Sequence, residues 1–480
     1  MSSQETQKEP ILIYSEGLNG ILAACYLQAN GQDVVLALDP KQAKPLGFFP
    51  IFVEKTLMHS CIPNFAEEAH QYQAQIRITD TDNDGSAPEW RELFQCTRSE
   101  QAMLAHDELK KLTEVFCRCL GNDPGTLNRG DTQLFLILEF AKQLAREKEF
   151  TQSYLKKLID GFEKKEETVN LAYLSYWLSC FLMKSWEKGA GFAVLPSIFL
   201  HDNGYYRVNG DFRHLYDRLC AWFHDNGGKI LNTSNYENLR LFHENHSFTR
   251  LRTEKFEIGF SRIFVDAPWV RFRQKFINMD DLSSTLRMDL TPPASLLNFL
   301  YIEADLDDPE DIYIENNTYF AGPDNRTHEK EIFKNVMNDG LPGSPSLYWI
   351  KQKEGKIVLL AYPFSGVPEN ALEKDGKQKI LEQIKDRFEK ISNGKAKLIF
   401  PDSVTFDYNK AMRLGYKTKA FGRNPFLKKD EFFGMYIHET IKPSTILGDN
   451  LYFISEGLYP TMPIRPSLHD FLNRFIQKSD

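Results

Sequence analysis

The residues whose types and spacing bear on chemistry lie close to the N-terminus. Ser15-Glu16-Gly17-Leu18-Asn19-Gly20 joins the apolar run Ile11-Leu12-Ile13-Tyr14 to an Ala/Leu-rich segment, Ile21 to Ala29, which Asn30-Gly31 ends. Two glycines three residues apart, in a turn between a strand and a helix, are two-thirds of the G-x-G-x-x-G pattern that receives a dinucleotide pyrophosphate. In that pattern the first glycine makes the tight turn, the second lets the backbone approach the phosphates, and the third lets the helix pack on the strand. Here Ser15 takes the first place, Gly17 and Gly20 the other two, and Leu18 and Asn19 add the amides between them. A second apolar run, Val34 to Leu38, ends on Asp39, an acid able to accept from a ribose hydroxyl, although one residue late. Glu16 adds a carboxylate to a loop that otherwise offers bare N–H groups to an anion.

The other chemistry-bearing residue types form no constellation. The seven cysteines are scattered without a C-x-x-C pair, and Cys117 and Cys119, two apart in a helical pattern, point to different faces. An odd count without framework spacing implies reduced thiols and a cytoplasmic location. His243 and His246 stand three apart in a strand-like region and project to opposite faces, which suits packing rather than metal binding. The acidic turn Asp80 to Gly85 has no glutamate at the closing position of a calcium loop and reads as a hairpin turn. A net charge of −8 excludes a nucleic-acid partner, which requires a basic face. The first ten residues carry no signal-peptide apolar region. Val169 to Met183 is free of charge but shorter than the roughly 18–20 residues of a span, so it reads as a buried helix, with a helix lying in a bilayer surface as the alternative.

At 480 residues the chain is too long for one core, and two or three domains are expected. The generous aromatic content, 36 Phe and 20 Tyr, suits a large core or an apolar pocket. Strand, turn, helix and strand over the first forty residues open an α/β unit of dinucleotide-binding type. Leu57 to Glu92 is mixed, and Ser99 to Glu187 is helical in pattern. After Gly210-Asp211 a helix runs to His224, stopped by Asn226-Gly227-Gly228, and strands follow to Ile263-Phe264-Val265-Asp266-Ala267. Leu296 to Glu303 and Ile357 to Tyr362 read as strands of a second sheet, with a strongly periodic helix from Ala371 to Ile391. The last stretch, 450–478, reads strand, turn, helix.

This order of parts resembles flavoproteins of the phytoene desaturase type, together with retinol saturases and, more distantly, amine oxidases. The likeness is carried by the N-terminal unit, by Tyr205 to Gly210 and the helix-NGG-strand block after it, by Asp266-Ala267-Pro268, by Leu414-Gly415-Tyr416 and Phe421-Gly422, and by NLYFISEGLYP near the end. It implies a Rossmann-like FAD/NAD(P)-binding domain assembled from residues 8–56, 195–275 and 430–480. A mixed-sheet substrate domain would come from 57–98 and 280–427, with a helical insertion or cap at 99–190. The cofactor implied is FAD, held by Ser15, Gly17, Leu18, Asn19, Gly20, Asp39, Gly47, Glu456 and Gly457. The activity implied is oxidation, desaturation or saturation of an apolar polyene, isoprenoid or lipid-like substrate, with peripheral membrane contact. Where the family has a glycine-rich C-terminal turn, this chain has Ser455-Glu456-Gly457-Leu458-Tyr459-Pro460, with most of the glycines replaced. Eroded motifs at both turns also resemble Rab GDP dissociation inhibitors and escort proteins. Those relatives imply the alternative: a flavin-free pseudoenzyme that keeps the fold to bind a lipid or a protein partner.

Overall fold

The computed structural model describes residues 9–38, 51–62, 64–68, 76–78, 205–208, 213–233, 236, 239–244, 247–267, 272, 275–276, 297–315, 317–322, 335, 341–365, 374–401, 450–454 and 468–477. The Val169 to Met183 segment, the helical pattern of 99–187, the acidic turn at 80–85, Cys117, Cys119 and His246 lie outside them.

In chain order the described elements begin with β1 (Ile11–Ser15), α1 (Leu18–Ala29), β2 (Val34–Leu38), β3 (Ile51–Glu54), α2 (Lys55–Cys61), α3 (Phe65–Glu68) and β4 (Ile76–Ile78). They continue with β5 (Tyr205–Val208), α4 (Arg213–Asp225), β6 (Lys229–Asn232), β7 (Arg240–Glu244), β8 (Ser247–Arg252), β9 (Glu257–Gly259) and β10 (Arg262–Asp266). The rest are β11 (Leu297–Asp307), β12 (Thr318–Ala321), β13 (Ser346–Lys351), β14 (Lys356–Ser365), α5 (Lys374–Ile391), β15 (Lys397–Ile399), β16 (Leu451–Phe453) and α6 (Leu468–Gln477).

Five strands form a wholly parallel sheet in the order β16-β10-β1-β2-β6. The apolar runs of the sequence are its centre: every residue of β1 and β2 is buried, as parallel strands covered on both faces must be. From β1 the chain steps one way to β2 and β6, and later returns on the other side to β10 and β16. The order therefore reverses between β1 and β10, the topological switch point at which open α/β sheets bind ligands beyond their strand C-termini.

Helix α1 is buried from Leu18 to Leu27 because the sheet lies on one side and α2, α4 and α6 on the others. It begins at Leu18, three residues before the apolar segment of the sequence, since extended Gly17 (φ −144°, ψ −174°) lets the helix start directly after the turn. Asn30 caps its end, and Gly31 takes the left-handed conformation (φ 73°) that a glycine adopts freely. The Tyr26 hydroxyl donates to Asn473 Oδ1 at 2.5 Å, and the His469 amide of α6 donates to Glu54 Oε2 at 3.2 Å, so the C-terminal helix is tied to both α1 and β3.

The second large sheet, β15-β11-β14-β13-β12-β4, is antiparallel except for the parallel β12–β4 pair. Strand β11 runs to Asp307 and β14 to Ser365, both longer than their apolar runs suggest, because each has a partner strand across its added residues. Ile380, Ile384 and Phe388, one helical turn apart on α5, pack on Trp349, Leu359 and Leu300 of this sheet. Tyr313, Tyr319, Trp349 and Phe388 form the aromatic centre of that layer, with Tyr319 and Trp349 stacked at 5.6 Å. Of the mixed region after residue 56, Lys55–Cys61 and Phe65–Glu68 are helical.

Candidate functional site at the β1–α1 turn

The switch point is built from the C-terminal ends of β1 and β10, whose register sets Ser15 beside Asp266. Both side chains are buried, Ser15 at 0% exposure and Asp266 at 5%. Asp266 leans across the turn, and its Oδ2 accepts the Gly20 amide in the first turn of α1 at 2.6 Å. The Ser15 hydroxyl lies 2.8 Å from the Gly17 carbonyl and 3.3 Å from the same Asp266 oxygen, two acceptors for one proton. The Glu16 amide donates to the Asp266 carbonyl at 2.8 Å, so backbone and side chain of one residue together close the turn.

These contacts require glycine at position 20 and leave little room for a side chain at 17. A Cβ on Gly20 would stand 2.3 Å from Ser15 Oγ and 2.9 Å from Asp266 Cβ, and one on Gly17 would stand 3.0 Å from Asp266 Oδ2. Gly20 thus does what the third glycine of the pattern does, letting helix and strands approach closely, and here the atoms it admits include a carboxylate-bearing side chain.

Glu16, the acid in the loop, is held elsewhere. Its Oε1 accepts from the Tyr14 hydroxyl at 2.9 Å, and the Lys275 ammonium lies 3.3 Å from that hydroxyl, within a group that includes Phe272 and Phe276. The carboxylate bonded to a helix amide is the one from β10. Leu18 is buried at the start of α1, and the Asn19 side-chain amide donates to the Ile454 carbonyl at 3.3 Å, which brings the exit of β16 up to the same turn. Asp39, Gly47, Glu456 and Gly457 lie outside the described residues.

A dinucleotide would present its pyrophosphate to the first amides of α1, where exposed N–H groups and the helix dipole favour an anion. The Gly20 amide is already bonded to the Asp266 carboxyl group at 2.6 Å. A phosphate charge about 4 Å from that carboxylate would be repelled by about 4 kcal/mol at an effective dielectric of 20. An ionised Asp266 therefore opposes a pyrophosphate at this turn.

Two buried thiols, Cys25 and Cys61, and the half-buried Cys220 lie close together. Cys25 donates to the Leu219 carbonyl at 3.6 Å and Cys61 to the Leu22 carbonyl at 3.8 Å, with Cys220 on α4 nearby. Interaction with the neighbouring Cys61 thiol, together with burial, pushes the Cys25 thiol far above its ordinary range. Burial pushes Cys220 up to about 12. These are inert packing groups. Among the described residues no group of His, Cys, Asp and Glu could hold a metal, and no helix is long and apolar enough to cross a membrane.

Asp266 is the participant that sequence reasoning passed over. The sequence placed it at the end of a cofactor-domain strand, Ile263-Phe264-Val265-Asp266, without assigning it to the site.

No protein-family description and no curated protein matches the chain. Among solved structures, an oxidoreductase from Methanosarcina mazei aligns over 97% of this chain and 100% of its own, at 11% identity and a TM-score of 0.45. A putrescine oxidase redesigned in its cofactor binding aligns over 97% and 99%, at 10% identity and a TM-score of 0.46. Cyclohexylamine oxidase from Brevibacterium oxydans aligns over 98% and 99%, at 11% identity and a TM-score of 0.42. Likenesses of this size carry no argument about activity, and the assignment of fold rests on the strand order itself. That order makes the chain an α/β protein with a Rossmann-like parallel sheet of the dinucleotide-binding type, drawn from three separate stretches of sequence, beside a second, mixed sheet.

Proposed function

We propose that this protein is a flavin-free binding protein built on the architecture of FAD-dependent oxidoreductases, with an apolar, lipid-like ligand. The observation that carries the proposal is the buried Asp266 carboxylate bonded to the Gly20 amide, where a bound dinucleotide would need an open helix terminus. The fold is kept while its phosphate position is filled from within, which suits a scaffold retained for binding. The ligand class is supported by the second sheet. Its face away from α5 carries Tyr301, Phe320, Tyr348, Val358 and Leu360, already buried within the protein, so an apolar ligand would meet apolar and aromatic surroundings only next to this layer.

The competing reading, an FAD-dependent oxidoreductase acting on such a ligand, has the same topology in its favour. Absorbance of the purified protein and of its denatured supernatant separates the two. Mass spectrometry of an organic extract tests the ligand. A colourless protein that carries an apolar compound is expected. Stoichiometric flavin released on denaturation would overturn the proposal and restore the oxidoreductase reading.

A further inference from the structure

We propose that Asp266 is the specificity-determining residue of the β1–α1 turn: an internal stand-in for a phosphate that sets the turn against nucleotide anions by charge, while the rest of the cradle stays intact. This rests on the flavin-free reading and goes beyond it, since it assigns the closure to one side chain and names the ligand class excluded.

Three observations support the assignment. The carboxyl group is buried at the C-terminal end of β10 and bonded to a first-turn amide of α1, so one of the amides that could face an external anion is already taken. The other features of a phosphate-binding turn survive around it. Gly17 is extended and precedes the helix directly, Gly20 keeps helix and strand close, and the strand order reverses at this point. Glu16, the other acid of the turn, is engaged by the Tyr14 hydroxyl, which in turn accepts from the Lys275 ammonium. The closure is thus a substitution of one anion for another. Loss of the first glycine is secondary, because Ser15 bonds back into the turn through the Gly17 carbonyl.

The test uses the full chain and two variants. Asp266→Asn keeps the shape of the side chain and an oxygen for the Gly20 amide but removes the charge, and Asp266→Ala vacates the position. Equilibrium dialysis with ADP, with inorganic pyrophosphate and with FAD reads the affinity, and circular dichroism reports folding. In the folded variants, pyrophosphate and ADP affinity should rise by about 100-fold over the wild type, roughly two-thirds of the repulsion that one nearby charge exerts. Asp266→Ala should gain more than Asp266→Asn. If Asp266→Ala fails to fold, Asp266→Asn decides alone. A folded Asp266→Asn protein that binds these anions no better than wild type overturns the inference and leaves the flavin-free reading standing. Tight FAD binding by the wild type overturns both.

Discussion

Replacing Gly20 by alanine tests whether the turn is as tightly closed as its geometry requires. Gly20 sits in the first turn of α1, and its new Cβ would stand 2.3 Å from Ser15 Oγ, 2.4 Å from Ser15 Cβ and 2.9 Å from Asp266 Cβ. Ser15 is in the sheet with both neighbouring strands paired to it, so it cannot withdraw, and α1 must lift from the sheet instead. Overpacking of this kind costs about 1–3 kcal/mol, and lifting the helix also stretches the 2.6 Å bond from the Gly20 amide to Asp266, a charge-assisted bond contributing about 1.5–3 kcal/mol. Against these stands the better helix propensity of alanine, about 1 kcal/mol. A net loss of about 2–3 kcal/mol follows, read by urea denaturation with the slope checked for two-state behaviour. Ser15→Gly removes the two nearest atoms, so in its background the alanine should cost about 1 kcal/mol, leaving a coupling of about 1–2 kcal/mol in the double-mutant cycle, as expected for residues in contact. Equal effects of Gly20→Ala with and without Ser15 would refute the close approach, as would a Gly20→Ala protein of wild-type stability.

Other outcomes follow from the same structure. Lys351→Met should destabilise by about 3 kcal/mol in urea, because it strips Asp308, whose side chain is 2% exposed, of its cation at 2.8 Å. Restoration of stability by Asp308→Asn in that background is the accompanying check, since the amide carries no buried charge. A thiol reagent at pH 8 should leave Cys25, Cys61 and Cys220 unmodified in the folded protein and modify all three after unfolding, because the first two are wholly buried and burial raises Cys220. Because the folded state holds the Cys220 proton to about 12 against an ordinary 9.0, its contribution to stability is complete below pH 9 and declines as pH rises toward 12; a Cys220→Ala protein should lose less stability over that window.

Much of the parallel sheet was legible because its signals are local. Ile11 to Tyr14 and Val34 to Leu38 are apolar runs of strand length, Asn30-Gly31 stops a helix, and Asn226-Gly227-Gly228 stops another just before β6. Element types followed from period and punctuation, which depend on neighbours a few residues away. The ends of elements were less legible. The start of α1 at Leu18 depends on Gly17 entering extended, and the lengths of β11 and β14 depend on strands that pair across them.

The chemistry of the turn divides differently. Residue types alone determined that a strand–turn–helix with glycines at 17 and 20 would stand at the centre of an α/β unit, because that order of apolar run, glycine turn and helix is local. They also showed an acid in the loop, but not which acid faces the helix. That was decided by the tertiary structure: parallel pairing of β1 with β10 sets Ser15 against Asp266, 251 positions away, and turns the carboxylate onto the Gly20 amide, while Tyr14 holds Glu16. A hydrogen bond between residues so far apart leaves no periodicity in the chain, and its existence depends on the sheet register alone.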